Sequence, residues 1–200
     1  MTSQLHARSK VLVGLGANCP GVWGSSSRAI AHALSEIERA HVAVVAVSPL
    51  YETEAVGNAR QPAYVNAVAV LDTPLSPEAL LRVLKRIERR SGRRGGRPWG
   101  PRTLDIDIID YAGLVRNWWG LVPGFSRAGA RPLVLPHPLA HERPFVLRPL
   151  LDVVPGWRHP VLQKSAAELL HALPKAGPGR VLKRLSSEGA RLGIGGGRLS

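Results

Sequence analysis

The chain has 200 residues, with 27 Lys and Arg against 14 Asp and Glu, giving a formal net charge of +13. At 44% hydrophobic and 20% charged residues its composition is globular, which excludes disorder throughout and leaves room for one domain with a core of its own, with or without an appendage. No run of about 18 apolar residues suggests a membrane helix, and the single cysteine, Cys19, excludes an internal disulfide and a zinc–thiolate cluster.

In chain order, residues 1–9 read as a loose arm with basic residues but no apolar segment behind them. No secretory signal is expected, and the expected compartment is the cytoplasm. VLVGLGAN (11–18) is an apolar run ending in glycines, which predicts a strand entering a loop. Ser25, Ser26 and Ser27 offer an N-cap, and Ile30, Ala33, Leu34 and Ile37 recur behind them at helical spacing. VAVVAVS (42–48) predicts a buried strand stopped by Pro49, and residues 52–62 predict a loop. AYVNAVAVL (63–71) alternates, with Tyr64, Asn66, Val68 and Val70 on one face and Val65, Ala67, Ala69 and Leu71 on the other. Ser76-Pro77 forms an N-cap and N1 pair. The helical stripe Leu80, Val83, Leu84 and Ile87 follows and ends at Gly92. RRGGRPWGP (93–101) cannot continue a helix, and TLDIDIIDY (103–111) alternates as a strand.

The resulting order, β-α-β-β-α-β, is the ferredoxin-like pattern of an α+β fold: an antiparallel sheet with helices on one face. Residues 113–131 are aperiodic and predict a surface insertion. LVLPHP (133–138) predicts a short strand, residues 144–154 are either helical or extended, and SAAELLHAL (165–173) predicts an amphipathic helix. Residues 175–200 are basic, Gly-rich and poor in apolar side chains, so disorder is expected there and the domain is bounded at 10–174.

The charge is concentrated. Between Arg82 and Arg102 nine basic residues stand against one acid, Glu88. Such a balance suits a polyanion: nucleic acid, nucleotide, phosphate or a membrane surface. Next to this run, Asp105 and Asp107 are two residues apart on a strand, so both carboxylates point to one side while Leu104, Ile106 and Ile108 face the core, and Asp110 points to the other face. Adjacent like charges repel unless a cation lies between them, and an all-oxygen site suits Mg²⁺. The alternative is a solvated strand face salt-bridged by neighbouring arginines. Arg93, Arg94, Arg97 and Arg102 offer planar forks for phosphate, or else form a solvated basic loop. His137, held between prolines, either donates to a phosphate or is structural. Asn66 fits the edge of a heterocycle or a satisfied interior position, and Trp99 and Phe145 either stack on a flat ring or anchor loops. GLGANCPG (14–21) departs from G-x-G-x-x-G at Cys19, and no P-loop motif occurs.

Several of these pieces occur together in one order. RPWGPRTLDIDII (97–109), GLGAN (14–18), SPLYETEAVG (48–57), QPAYVNAV (61–68), LPHP (135–138) and ERPFVLRPL (142–150) resemble the 6-hydroxymethyl-7,8-dihydropterin pyrophosphokinase family over about residues 10–173. The resemblance implies a ferredoxin-like three-layer α/β/α sandwich with extra C-terminal elements. It implies transfer of pyrophosphate from ATP to the hydroxymethyl oxygen of the dihydropterin, with release of AMP, in folate biosynthesis. By motif, Asp105 and Asp107 would hold two Mg²⁺ ions, and Arg93 and Arg102 would cover the phosphates and stabilise the transition state. His137 and Arg143 would grip the phosphates from the far side, and Glu88 would lie near the nucleotide. Gly57, Tyr64 and Asn66 would meet the pterin edge, Phe145 would stack on the ring and Trp99 would close over it. The next enzyme of the folate pathway is the macromolecular partner this implies, with no membrane partner. The family usually has Ser where Ala17 stands. Two rivals remain at this stage: a nucleic-acid-binding module motivated by the charge, and a binding scaffold of the same fold without catalysis.

Overall fold

A computed structural model describes residues 8–56, 61–92, 101–118, 132–175 and 177–185. Strand β1 (Ser9–Ala17) lies between β4 (Tyr64–Thr73) and β5 (Asp105–Tyr111), antiparallel to both. β4 also pairs with β2 (Ala43–Val47) and β3 (Tyr51–Thr53), and β6 (Val181–Arg184) pairs with β3. The sheet order is β5-β1-β4-β3-β6, with β2 beside β4. The architecture is therefore an antiparallel sheet with helices, an α+β fold.

The alternation read in β4 decides the two cores. Ala67, Ala69 and Leu71 pack with Val11, Val13 and Leu15 against α1 (Ser26–Arg39) and α2 (Pro77–Arg90). Val68 and Val70 pack on the opposite face with Leu12 and Ile109 against α3 (Pro144–Val153), Trp157 and α4 (Ala166–Ala172). Of the expected helix stripes, Ile30, Ala33, Leu34 and Ile37 on α1 and Leu80, Leu84 and Ile87 on α2 are buried, and Val83 is half-buried against the same core. Packing dominates over capping in α1. Fully burying an Ile or Leu contributes about 1.5–3 kcal/mol, whereas the Ser25 hydroxyl meets the Arg28 N–H at only 3.5 Å, and even a good cap contributes about 1 kcal/mol. α4 is short and carries a complete capping box between Ser165 and Glu168.

Three expectations are corrected. The 42–48 run is not a buried strand: among the described residues β2 pairs with β4 alone, its register slips between Val44 and Ala46, and Val45 is 57% exposed. A run of β-branched residues reads alike on an edge and in the middle of a sheet. Asp110 does not point away from the site face. Ile109 is an extra residue between the Leu12–Asp110 and Val13–Ile108 pairs, and this bulge turns Asp110 to accept the Trp157 indole N–H at 2.7 Å. The stretch after 175 is not wholly without order, because Val181–Arg184 forms the strand β6. Among the described residues no helix is long and apolar enough to cross a membrane.

His159 gives the α3–α4 layer an acid sensitivity. It is fully buried, with the Trp118 and Trp157 rings at 5.0 and 5.7 Å. Its Nδ1 accepts the backbone N–H groups of Val161 and Leu162, at 3.2 Å each. Burial, helped by His141, lowers its pKa from 6.5 to about 4. Between those values the unfolded chain binds a proton that the folded protein refuses, so stability falls as pH drops through the window, by on the order of 3 kcal/mol in full. His159→Asn keeps an acceptor for the turn and is expected to flatten this decline in urea unfolding at about pH 7 and about pH 4.5. An unchanged slope would remove His159 from the acid response.

Candidate active site

The cleft opens over the β5, β1 and β4 end of the sheet, and its floor is made by two glycines. Gly14 is paired with Asp107, and Gly16 lies between Asp105 on β5 and Asn66 on β4. A Cβ on Gly16 would stand 2.8 Å from Asn66 Oδ1, so only glycine leaves the amide where it is. The bare strand is a trough, with an acidic wall on β5 and an amide and aromatic wall on β4. Asp105, Asp107, Arg102, His137 and Arg143 line one part of the cleft, and Tyr64, Asn66, Thr53, Glu54, Val56 and Phe145 line another. The open space is about 860 Å³, counting its continuation into solvent.

The acidic wall is ringed by basic side chains. Arg102 Nη1 donates to Asp105 Oδ2 at 2.9 Å. Lys85 Nζ reaches Asp107 Oδ1 at 3.5 Å and Asp105 Oδ1 at 3.9 Å. His137 Nε2 and Arg143 Nη1 are each 3.8 Å from Asp107 Oδ2. Burial pushes the Asp107 carboxyl up, but His137, Lys85, Arg143 and Arg102 outweigh it and hold the group below the usual carboxylate range. Asp107 is therefore an anion at neutral pH. His137 moves the other way: burial lowers it to about 4 despite Asp107, so at neutral pH the ring is uncharged. Its Nδ1 accepts the Leu139 N–H at 3.1 Å, which leaves the ring proton on Nε2. Arg143 Nη1 lies 3.3 Å from that Nε2. Two donors this close, each 3.8 Å from Asp107 Oδ2, present a seat for an anionic oxygen.

Local structure explains how these groups arrive. The bulged residue Ile109 offers its carbonyl to the His137 N–H at 2.8 Å, which fastens the 135–138 segment beside β5. Only an isolated bridge, Arg116 with Leu135, stands where a short strand is expected. Asn18 clamps the backbone of Arg102 from both sides: its N–H donates to the Arg102 carbonyl at 2.9 Å and its Oδ1 accepts the Arg102 N–H at 2.8 Å. Its amide also donates to Gln61 Oε1 and the Pro62 carbonyl, at 3.2 Å each. Asn66 donates to Thr53 Oγ1 at 2.7 Å, fixing the amide against β3. Arg143 lies 5.6 Å from the Phe145 ring centroid.

The sequence-derived candidates thus divide. Arg102, Asp105, Asp107, His137, Arg143, Tyr64, Asn66 and Phe145 share the cleft. Arg93, Trp99 and Gly57, with Arg94 and Arg97, lie outside the described residues. Glu88 does not line the cleft: it is 2% exposed, and its Oε1 accepts the Ile106 N–H and a Lys85 Nζ–H, both at 2.6 Å. Its surroundings are the core edge of β5, where burial raises its pKa against the lowering effect of Lys85 and the Ile106 amide. Sequence reasoning missed Lys85, Asn18, Gly16 and Thr53. The Asn18 position sits in the GLGAN motif and could have been found there. Lys85 gives no signal of its own within a run of nine cations.

Comparison with known proteins identifies the family. Residues 12–155 match the sequence model of the 7,8-dihydro-6-hydroxymethylpterin-pyrophosphokinase family. The chain is 39% identical over 169 residues to a Pseudomonas aeruginosa protein named 2-amino-4-hydroxy-6-hydroxymethyldihydropteridine pyrophosphokinase, covering 84% of this chain and 94% of that one. It is 36% identical over 155 residues to the Schizosaccharomyces pombe folic acid synthesis protein fol1, covering 77% of this chain and 20% of the relative. The crystal structure of wild-type Plasmodium falciparum HPPK-DHPS superposes with a TM-score of 0.62 at 15% identity, over 84% of this chain and 42% of that chain. That likeness is one of fold, and the chain spans less than half of the solved protein.

Proposed function

The chain belongs to the 7,8-dihydro-6-hydroxymethylpterin-pyrophosphokinase family, and on that premise we propose that it transfers pyrophosphate from ATP to the hydroxymethyl oxygen of 6-hydroxymethyl-7,8-dihydropterin in folate biosynthesis. The hydroxyl oxygen attacks the β-phosphorus, the bond from that phosphorus to the α-phosphate oxygen breaks, AMP leaves and the hydroxyl proton is lost. The observation that carries this reading is the bare glycine trough. It sets a pair of carboxylates ringed by basic side chains opposite an amide and aromatic wall at the spacing of one sheet.

In this reading Asp105 and Asp107 hold Mg²⁺, with two ions expected. The donor set fits: two carboxylates share one strand face in the cleft, 25% and 37% exposed, with Asp107 held ionised. Among the described residues no cluster of three or more His, Cys, Asp and Glu forms a cage by itself, as expected where substrate phosphates complete the ligand sphere. When bound, Mg²⁺ neutralises phosphate charge and lowers the pKa of the attacking hydroxyl. Arg102 holds a phosphate beside Asp105, and His137 Nε2–H and Arg143 together hold phosphate oxygen at the far side. Arg93 is proposed to cover the phosphates and Trp99 to close over the pterin. Phe145 stacks on the pterin, and Tyr64, Asn66 and Gly57 meet its edge. Glu88 acts on the nucleotide end through β5 and Lys85. Positioning and charge neutralisation supply most of the acceleration in such transfers, so no strong general base is required.

We read the element order and sheet order as the ferredoxin-like pattern in a three-layer α/β/α arrangement, and the functional unit as extending from residue 10 through β6. Because the fission-yeast folic acid synthesis protein and an Arabidopsis thaliana folate synthesis bifunctional protein carry the matching region within longer chains, another enzyme of folate synthesis is the expected partner. The test is AMP release from ATP and Mg²⁺ with and without 6-hydroxymethyl-7,8-dihydropterin. Pterin-dependent AMP without ADP is expected. A folded protein that binds ATP and releases no AMP would leave only the scaffold reading.

A further inference from the structure

The C-terminal segment 177–185 contributes little to either core, yet it touches the cleft wall at three places. Three of the four β6 residues are exposed, Leu182 at 43%. β6 pairs with β3 through Tyr51–Arg184, Glu52–Lys183 and Thr53–Val181. Pairing runs on past the strand at both ends: the Glu54 N–H donates to the Arg180 carbonyl at 2.9 Å, and the Leu185 N–H to the Leu50 carbonyl at 2.8 Å. The Arg180 guanidinium donates to Glu54 Oε1 from Nη2 at 2.6 Å and Nε at 3.2 Å. Thr53 and Glu54 line the cleft.

Gly179 makes the third contact. Its φ is +77°, and a Cβ there would stand 2.5 and 2.8 Å from the Phe145 ring atoms Cδ1 and Cε1 and 3.4 Å from Val56 Cγ2. Phe145 and Val56 also line the cleft. Bare backbone at 179 therefore sets how far the Phe145 ring can withdraw from the cleft. A half-buried ring and a strand with such neighbours lose alternative positions, which is what a stacking site needs before its ligand arrives.

We propose that the segment 177–185 is a positioning element for the aromatic end of the cleft, with Gly179 acting through Phe145 and Val56 and Arg180 acting through Glu54. This rests on the pterin reading of that end. The segment adds no group to the reacting atoms. It fixes the wall against which a flat heterocycle stacks, so its effect falls on the pterin and spares the nucleotide.

The experiment compares the full chain with Gly179→Ala, Arg180→Ala and the control Gly113→Ala. Gly113 has a similar φ of +74° and nothing within 4 Å of its Cβ position, so it reports the backbone cost alone. Oxidised 6-hydroxymethylpterin is titrated by its fluorescence without nucleotide, and KM is measured separately for the dihydropterin and ATP. Gly179→Ala is expected to raise the pterin Kd and KM about tenfold and Arg180→Ala about threefold, with KM for ATP changed less than about twofold and Gly113→Ala near wild type. Should Gly179→Ala fail to fold, Arg180→Ala carries the test. Wild-type pterin affinity in the variants, or equal losses for pterin and ATP, would overturn the positioning role while leaving the enzyme assignment intact. Wild-type protein that binds no pterin would overturn both.

Discussion

Asp107→Ala is expected to lower AMP release by about a thousandfold or more while leaving the fold intact. The two halves of this expectation come from different distances. For stability, Asp107 contributes little: its side chain is 37% exposed and its basic neighbours, Lys85, His137 and Arg143, are 3.5–3.8 Å away. Partly exposed pairs of this kind contribute about 0–1 kcal/mol. For chemistry, the same carboxylate is the centre of the charge distribution, facing Lys85, Arg143 and Arg102 within one cleft. Its removal leaves cations facing one another where the proposed function places a metal-bound triphosphate. Asp107→Asn keeps the shape and loses the charge, so a comparable loss in that variant would assign the effect to charge. Mn²⁺ binding followed by electron paramagnetic resonance gives a readout independent of turnover and should weaken in both. Near-normal AMP release from either variant would take Asp107 out of the mechanism.

How far the sequence foretells this site depends on the range of the forces involved. Period-two alternation is local, so Asp105 and Asp107 on one face, and Asn66 and Tyr64 on another, are legible from the chain alone. The helix stripes and the Ser76-Pro77 start are legible for the same reason. The bulge at Ile109 is not: nothing in DIDIIDY marks which residue is extra, and the choice is settled by Asp110 finding Trp157, 47 residues away. β6 is hidden because four residues in a Gly- and Arg-rich stretch carry almost no pattern, and its partners are the backbone groups of β3. Residues 144–154 leave helix and strand open by composition, and the helix is decided by Val146, Leu147 and Leu150 meeting the second face of the sheet. Lys85 and Glu88 look like an ordinary surface pair at helical spacing. Their third and fourth partners lie on β5.

Those partners make Glu88→Ala the most destabilising change expected near the site, at on the order of 3 kcal/mol. Among the described residues β5 is an edge strand, paired only with β1. On its free side the Ile106 N–H is accepted by Glu88 Oε1 at 2.6 Å, and the Ile106 carbonyl accepts from Lys85 Nζ at 2.9 Å. Lys85 and Glu88, themselves joined at 2.6 Å, thus supply the donor and acceptor that a neighbouring strand would. Truncating Glu88 strands a buried amide, which alone costs about 1–3 kcal/mol, and it releases Lys85 from its nearest anion. The ammonium is then left with Asp105 and Asp107, 3.9 and 3.5 Å away. It will close on them and compete with a bound cation. Two measurements should therefore move together in Glu88→Ala: urea unfolding shifts to lower concentration, and Mn²⁺ binds more weakly. Glu88→Gln keeps an acceptor for Ile106 and loses the charge opposing Lys85, so it should recover much of the stability but little of the metal affinity. Wild-type stability in Glu88→Ala would show that the edge of β5 needs no such partner, and the link from α2 to the carboxylate pair would fall with it.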